Sequence, residues 1–288
     1  MTGEHRPSGP GRYVLLDVFT QTPLEGNQLA VFTDARDLSS QDMQRLAREL
    51  NISETVFALP PEQGGDVRIR IFTPGGELPF AGHPVLGSAI VVAGALQRDA
   101  VTLETAVGLV QVRLRREGDR VASGWMQQPI PSWQPYEHEA ELLDALGVKR
   151  SGLPVEVYEN GPRHAYVELE SDDAVAALAP DMHALAELGD VGANCFAGSG
   201  RSWKTRMFLP ALGVPEDPAT GSAAGPLAVH LARHRRIAFG EEIEIRQGAE
   251  IARPSLLYAR AEGSSERIER VEVGGSAVIV GRGEFVSG

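Results

Sequence analysis

Four polar residues stand where type and surroundings could move a proton. Glu54 lies in ISETVFAL, where strand alternation sets it on the same face as Ile52, Val56 and Ala58. A carboxylate in such company sits either at a solvated edge or partly buried, and burial would raise its pKa toward the range useful for proton abstraction. His83 follows Gly82 and precedes Pro84, a residue suited to a first helical turn. Imidazole titrates near neutrality and serves as acid or base, yet at a helix start it can equally be a cap or a satisfied core group. Ser222 follows Gly221, and Asp217 stands four residues before that glycine. Ser222 could act on a ligand or simply cap the helix, and Asp217, before Pro218, could be only a turn former.

His83, Asp217 and Ser222 lie in a segment that the chain carries twice, and Glu54 lies outside it. RIFTPGGELPFAGHPVLGSAIVVA, from Arg70 to Ala93, returns as RMFLPALGVPEDPATGSAAGPLAVHLA, from Arg206 to Ala232. Glu77, Pro79, Gly82, Ala89 and Ala93 fall on Glu216, Pro218, Gly221, Ala228 and Ala232. Upstream, Arg70, Phe72 and Pro74 match Arg206, Phe208 and Pro210, with three extra residues in the second loop. A repeat of this length predicts two similar domains with a cleft between them. Asp217 falls on Leu78, so the duplication itself does not demand a carboxylate there. Each copy places a glycine where strand and loop turn into an apolar helix. Such a turn admits a ligand close to the backbone, and a helix start offers free N–H donors and partial positive charge. Two of them facing one cleft would hold a carboxylate or another anion.

The segment from His83 to about Leu96 is apolar nearly all round, as a helix buried on every side would be. YVLLDVFT, QLAVFT, ISETVFAL, DVRIRIFT, AVTLETAVGLVQVRLRR and DRVASGWMQ read as strands around it. An outer helix capped by Ser39 or Ser40 carries Met43, Leu46, Ala47 and Leu50 on one face. The second half repeats the plan with strands near LPVEVY, HAYVELE, TRMFLP, EEIEIRQG, SLLYARAE, RIERVEV and SAVIV around a helix from Ser222 to about Ala232. The expected architecture is α+β, each domain a sheet wrapped around a central helix. The boundary falls at the QQPIPS crossover, giving a disordered tail over 1–11 and domains over 12–127 and 128–288, with the last strand able to pack on the first domain.

The 288 residues suffice for two ordinary domains, and a net charge of -12 with no basic stripe argues against nucleic acid. A single cysteine, Cys195, excludes an internal disulfide framework and suits a reducing cytoplasm. No run is long and apolar enough for a membrane span or a signal peptide. GSGRSWKT resembles a phosphate loop but has Trp203 where glycine is required. His230 and His234 are one turn apart, as metal ligands can be, but no carboxylate or further histidine accompanies them in the sequence, so no metal is expected. Neither GxSxG nor GxGxxG occurs on a suitable turn.

ISETVF, FTPGGELPFAGHPVLGSA and RMFLPALGVPEDPATGSAAGPLAVHL, with EGNQLAV and RQGAEIARPS, resemble the PhzF-like phenazine-biosynthesis family from about Tyr13 onward. The resemblance implies the diaminopimelate epimerase-like fold of two pseudo-symmetric halves, and a homodimer. Racemases of that fold carry a cysteine before each repeated glycine. Here those positions are Ala81 and Thr220, so a two-thiol mechanism is not expected. The resemblance implies instead a cofactor-independent isomerase with Glu54 as acid/base and His83, Asp217 and Ser222 as partners. Gly82 and Gly221, with Ala81 and Thr220 before them, would bind a small carboxylate-bearing substrate. Within the family, the phenazine enzyme isomerises trans-2,3-dihydro-3-hydroxyanthranilate. This chain departs from the common pattern at Gln28, where relatives often have Pro, and at Ile251-Ala252, where they often have Met-Gly. Another isomerase or lyase of the same fold, or a small-acid-binding protein without activity, are the alternatives.

Overall fold

The computed structural model describes residues 11–118 and 120–285, so the tail expected over 1–11 lies outside the described residues except for Gly11. The strands follow one another edge to edge in a continuous sheet. Ala277–Glu284, last in sequence, lies antiparallel to Arg12–Val18. From there the order runs to Asn27–Phe32, then parallel to Glu54–Leu59, antiparallel to Val67–Phe72, parallel to Ala100–Thr105, and on through Gly108–Glu117 to Arg120–Gln128. Short Glu77–Leu78 pairs on Val67–Phe72 and leads into the helix Gly82–Leu96.

The second half repeats that order. Glu156–Glu159 is followed by Arg163–Glu168, parallel Val191–Ser199, antiparallel Ser202–Leu209, parallel Glu242–Gln247, then Ser255–Gly263 and Ile268–Gly275. Val214–Asp217 pairs on Ser202–Leu209 and leads into the helix Gly221–Arg233. Ser132–Pro135 flanks Glu156–Glu159 as Ala277–Glu284 flanks Arg12–Val18. The halves join where Arg120–Gln128 and Ile268–Gly275, equivalent strands, pair antiparallel.

Both repeated helices are enclosed. Gly221 through Ala232 are all buried, as are Gly82 through Ile90. With no polar stripe to present to water, each helix is stable only inside a sheet that covers its whole circumference. One central hydrophobic cluster runs through both halves and includes Val85, Leu86 and Ala89 of the first helix and Leu227, Val229 and Leu231 of the second. The outer helix Ser40–Leu50 starts at Ser39, whose side chain accepts from the Asp42 amide, and buries Met43, Leu46 and Ala47 against Phe32, Phe57 and Phe72. Three short helices, Glu139–Leu146, Asp172–Ala176 and Met182–Glu187, and the strand Val191–Ser199 add to the elements that the sequence predicts. Leu142, Leu146 and Leu185 of these helices cover a second apolar layer over Val157, Val167 and Cys195. Ala252 is left-handed at φ 57°, a conformation glycine adopts without cost, and this is one of the two places where the chain departs from its resemblance.

The repeat preserves interactions as well as shape. Arg70 grips Glu77 through two hydrogen bonds of 2.7 and 2.6 Å, and Arg206 grips Glu216 through two of 2.9 and 2.7 Å. Each guanidinium also lies over the phenylalanine two residues on, Phe72 or Phe208. These forks tie the short strand before each helix to the sheet, fixing where the helix begins.

Candidate active site

The two helix starts touch. A Cβ added to Gly82 would lie 2.5 Å from the Gly221 carbonyl carbon and 2.6 Å from the Ser222 nitrogen. Only glycine lets the two turns meet this closely, so the duplicated glycines serve each other's approach. Ala81 and Thr220 are the N-cap residues, and neither makes a side-chain cap bond to its helix. The first-turn N–H groups thus converge from two helices with no side-chain acceptor of their own. Ser222 and His83 each occupy the second helical position, which removes the reading of either as an N-cap.

Glu54, first residue of its strand, keeps 15% of its side chain exposed, and its Oε2 lies 3.1 Å from His83 Nε2. The two atoms approach off the axis of an aligned hydrogen bond, so neither has a hydrogen-bond partner among the described residues. Burial pushes the Glu54 carboxyl well above the ordinary carboxylate range, and the charge of Asp217 pushes it the same way. Burial brings His83 down to about 3, so the ring is neutral in the physiological range. Asn27 Nδ2 sits 3.2 Å from His83 Nδ1. The same amide nitrogen lies nearer two other acceptors, Asp217 Oδ1 and the Ala219 carbonyl, both at 2.9 Å.

Asp217 ends its strand and is buried, not a surface turn former. Its Oδ1 accepts from Asn27 Nδ2 at 2.9 Å and its Oδ2 from Thr220 Oγ1 at 2.5 Å. Burial raises its pKa, and those two donors oppose the rise. Gln247 closes the ring of contacts: its amide donates to the Asp217 carbonyl at 2.8 Å and to Thr220 Oγ1 at 3.0 Å, while its Oε1 accepts from the Thr220 amide at 3.2 Å. Thr220 therefore spends its hydroxyl on orienting Asp217.

Ser222 Oγ is 3.2 Å from Nε2 of buried His164. The helix that carries it contains Pro226, which has no N–H for the Ser222 carbonyl four residues back. Asn160 Nδ2 donates to that carbonyl at 3.0 Å instead, Gln128 Nε2 to the Gly221 carbonyl at 2.8 Å, and Tyr166 Oη to the Ala223 carbonyl at 2.7 Å. Gly225 makes this possible, since a Cβ there would lie 2.2 Å from Gln128 Oε1.

The structure thus gathers Glu54, His83, Asp217, Ser222, Gly82, Gly221, Ala81 and Thr220 at one place between the halves. Sequence reasoning missed Asn27, Gln128, Asn160, His164 and Gln247. Asn27 lies within the quoted EGNQLAV motif and Gln247 within RQGAEIARPS; nothing local marks Gln128, Asn160 and His164 for the site, which they reach from distant parts of the chain. Cys195 is fully buried, and burial pushes its thiol up to about 12, so it offers no thiolate to the cleft.

One expectation is corrected. A carboxylate does accompany His230 and His234: Glu156 Oε2 lies 3.3 Å from His230 Nδ1 and 3.0 Å from His234 Nε2. Sequence distance hid it, because Glu156 is 74 residues from His230. The same oxygen accepts from Arg233 at 2.7 Å and from Tyr158 at 2.9 Å. Burial alone would raise the Glu156 pKa, but the bonds from His230, Arg233, His234 and Tyr158 bring it well below the ordinary range. A cation is already in contact with the position a metal would take. A groove of about 1210 Å³ lies away from the four polar residues, beside Arg150, Gly152, Trp203 and Arg236. Among the described residues no helix is long and apolar enough to cross a membrane.

Comparison with known proteins agrees with this architecture. A family model described as phenazine biosynthesis-like protein matches residues 16–283. The trans-2,3-dihydro-3-hydroxyanthranilate isomerase of Pseudomonas aeruginosa is 57% identical over 272 residues, covering 94% of this chain and 98% of the relative. A phenazine biosynthesis protein of the PhzF family from Bacillus anthracis superposes with a TM-score of 0.84 at 23% identity, covering 96% of this chain and 99% of the other. A probable proline racemase from Agrobacterium radiobacter superposes at 0.66 with 13% identity, covering 96% and 93%. The fold is α+β and diaminopimelate epimerase-like.

Proposed function

We propose that this chain, which belongs to the phenazine biosynthesis-like family and is an isomerase, acts on trans-2,3-dihydro-3-hydroxyanthranilate or a closely similar cyclic amino acid, with Glu54 carrying the proton. The observation that carries the reading is Glu54 itself: a carboxyl group in the cleft, its pKa raised by burial and its Oε2 without a hydrogen-bond partner among the described residues. A carboxylate relieved of solvation is a stronger base once ionised, and a raised pKa brings it nearer the operating pH.

In this reading the substrate carboxylate lies between the two helix starts, held by first-turn amides and the Ser222 hydroxyl. Glu54 removes a proton from a carbon beside the conjugated system. The released electron pair spreads through that system toward the bound carboxylate, and the resulting Glu54 carboxylic acid returns the proton at another carbon. Proton and electron pair both balance within the pair of molecules, as an isomerisation requires. His83, a neutral ring with Nε2 3.1 Å from Glu54, lines the side of the cleft where the carboxylate takes up the proton. Asp217, held by Thr220 and Asn27, disfavours a second negative charge nearby and keeps Glu54 poised to take a proton. Cys195 is too buried to supply the thiol pair of a racemase.

A homodimer in the cytoplasm fits this reading, the dimer by resemblance and the compartment by the single cysteine. Purified protein incubated with trans-2,3-dihydro-3-hydroxyanthranilate tests the substrate. Consumption of its conjugated chromophore with formation of an isomer of unchanged mass is expected. No consumption, with turnover of a different amino or hydroxy acid, would reassign the substrate. Binding without proton exchange for any such acid would favour a non-catalytic role.

A further inference from the structure

The halves bring different residues to equivalent places, and strand register shows which. Phe72 pairs with Thr55, and its repeat counterpart Phe208 pairs with Ala193. Glu54, one residue before Thr55, therefore corresponds to Gly192. On the parallel neighbouring strands Leu29 pairs with Glu54 and His164 with Gly192, so His164 corresponds to Leu29. His83 and Ser222 each follow the repeated glycine. In the first half the side chain reaching that position is Glu54, with Oε2 3.1 Å from His83 Nε2. In the second half the polar group has moved over by one strand, and His164 Nε2 reaches Ser222 Oγ at 3.2 Å. The glycine at the Glu54 position makes the room, because a Cβ on Gly192 would lie 2.9 Å from His164 Nδ1.

We propose that His164 is a positioning residue that fixes the Ser222 hydroxyl as a hydrogen-bond donor to the substrate's carboxylate. The inference rests on the reading that this carboxylate binds between the two helix starts. His164 is 1% exposed, and burial holds its ring neutral by pulling it down to about 4. Its Nδ1 has no hydrogen-bond partner among the described residues. A proton on Nδ1 would bury an unsatisfied N–H, whereas an unpaired acceptor is more readily tolerated, so the proton belongs on Nε2. Nε2–H then donates to Ser222 Oγ and occupies a lone pair on the side facing the ring. The hydroxyl hydrogen is left to point elsewhere, and the Ser222 amide at the helix start marks the same locale for an anion. The half without a base thus supplies an oriented donor, complementing Glu54 across the cleft.

The test uses His164→Leu, which installs the residue of the first half, His164→Gln, which keeps a donor, and Gly192→Ala, which displaces the ring without removing it. With trans-2,3-dihydro-3-hydroxyanthranilate, His164→Leu is expected to raise KM about 10-fold and Gly192→Ala to raise it in the same direction, with kcat changed by less than about 3-fold. His164→Gln should return KM to within about 3-fold of wild type. In parallel, the Kd of anthranilate should weaken about 10-fold in His164→Leu while that of anthranilamide, lacking the charge, should hardly move. An unchanged anthranilate Kd in a His164→Leu protein that melts like wild type overturns the proposal. So does a His164→Gln protein as impaired as His164→Leu, which would mean that packing alone is at stake. If His164→Leu does not fold, Gly192→Ala decides by the same two constants. A wild-type protein that binds no anthranilate and turns over no such acid refutes the carboxylate reading itself, and this inference with it. If only this inference is wrong, Glu54→Gln still abolishes turnover.

Discussion

Replacing Arg206 by Ala should destabilise the protein far more than replacing Arg70, although the two arginines make the same fork in the two copies of the repeat. The difference lies in burial. Side-chain exposure is 9% and 8% for Arg206 and Glu216, against 26% and 42% for Arg70 and Glu77. Removing Arg206 strands the Glu216 carboxylate in a dry place and strips the Val175, Ala176 and Leu178 carbonyls of donors at 3.4, 3.2 and 2.7 Å. Breaking a buried pair from one side costs about 3–5 kcal/mol. Arg70 serves a partly solvated pair, worth about 0–1 kcal/mol. At an unfolding entropy of about 2.1 cal/mol/K per residue, the larger loss lowers Tm by roughly 5–8 °C. Urea unfolding of both variants, with Tm as a second reading, measures the contrast. Glu216 immediately precedes Asp217, so Arg206→Ala should also lower kcat while Arg70→Ala leaves it near wild type. Equal destabilisation of the two variants would refute the argument that burial sets the value of this fork.

Three further outcomes follow from the geometry. Gly82→Ala forces a Cβ to 2.5 Å from the backbone of the other helix start, so activity should be lost, whereas Gly94→Ala, with nothing within 4 Å, should keep it; steady-state assays of the two purified variants decide. His83 titrates at about 3 in the folded protein against 6.5 as an ordinary histidine, so its contribution to stability is full above pH 6.5 and fades as pH falls toward 3. Between pH 7 and 4.5 the wild type should therefore lose about 3 kcal/mol relative to His83→Gln, read from urea unfolding at each pH, and parallel profiles would contradict the assignment. Cys195 is fully buried with its thiol pushed up to about 12, so iodoacetamide should leave native activity intact; rapid inactivation with alkylation of Cys195 would point to an accessible thiolate.

Much of the architecture was legible because the chain states it twice. Two helices without a polar face require enclosing sheets, and the glycines before them mark where they meet. Glu54, His83, Asp217 and Ser222 were legible as candidates because each sits in or beside a distinctive motif, but their local patterns left edge, cap and turn roles equally open, and it is the resemblance that implied their chemistry. The groups that orient them were not. Asn160 feeds the Ser222 carbonyl that Pro226 leaves open, and Gln128 reaches the Gly221 carbonyl through the space at Gly225, relations between residues 62 to 93 positions apart that no window of sequence displays. His164 lies in HAYVELE, which reads simply as a strand; only the register across Val191–Ser199 reveals that Gly192 yields its space to the ring. That strand itself escaped notice because VGANCFAGS is rich in small residues and its side chains acquire meaning only when packed. Glu156 was hidden from His230 and His234 for the same reason of distance.

The central claim is that Glu54 moves the proton. Glu54→Gln keeps the size of the side chain and removes the base, and incubation with trans-2,3-dihydro-3-hydroxyanthranilate in deuterium oxide, followed by NMR of substrate and product, reads both turnover and label. The account predicts that wild type converts the substrate with deuterium entering at carbon, while the variant loses both by about 10²–10⁴-fold and binds anthranilate as before. Undiminished turnover and labelling by Glu54→Gln would contradict it.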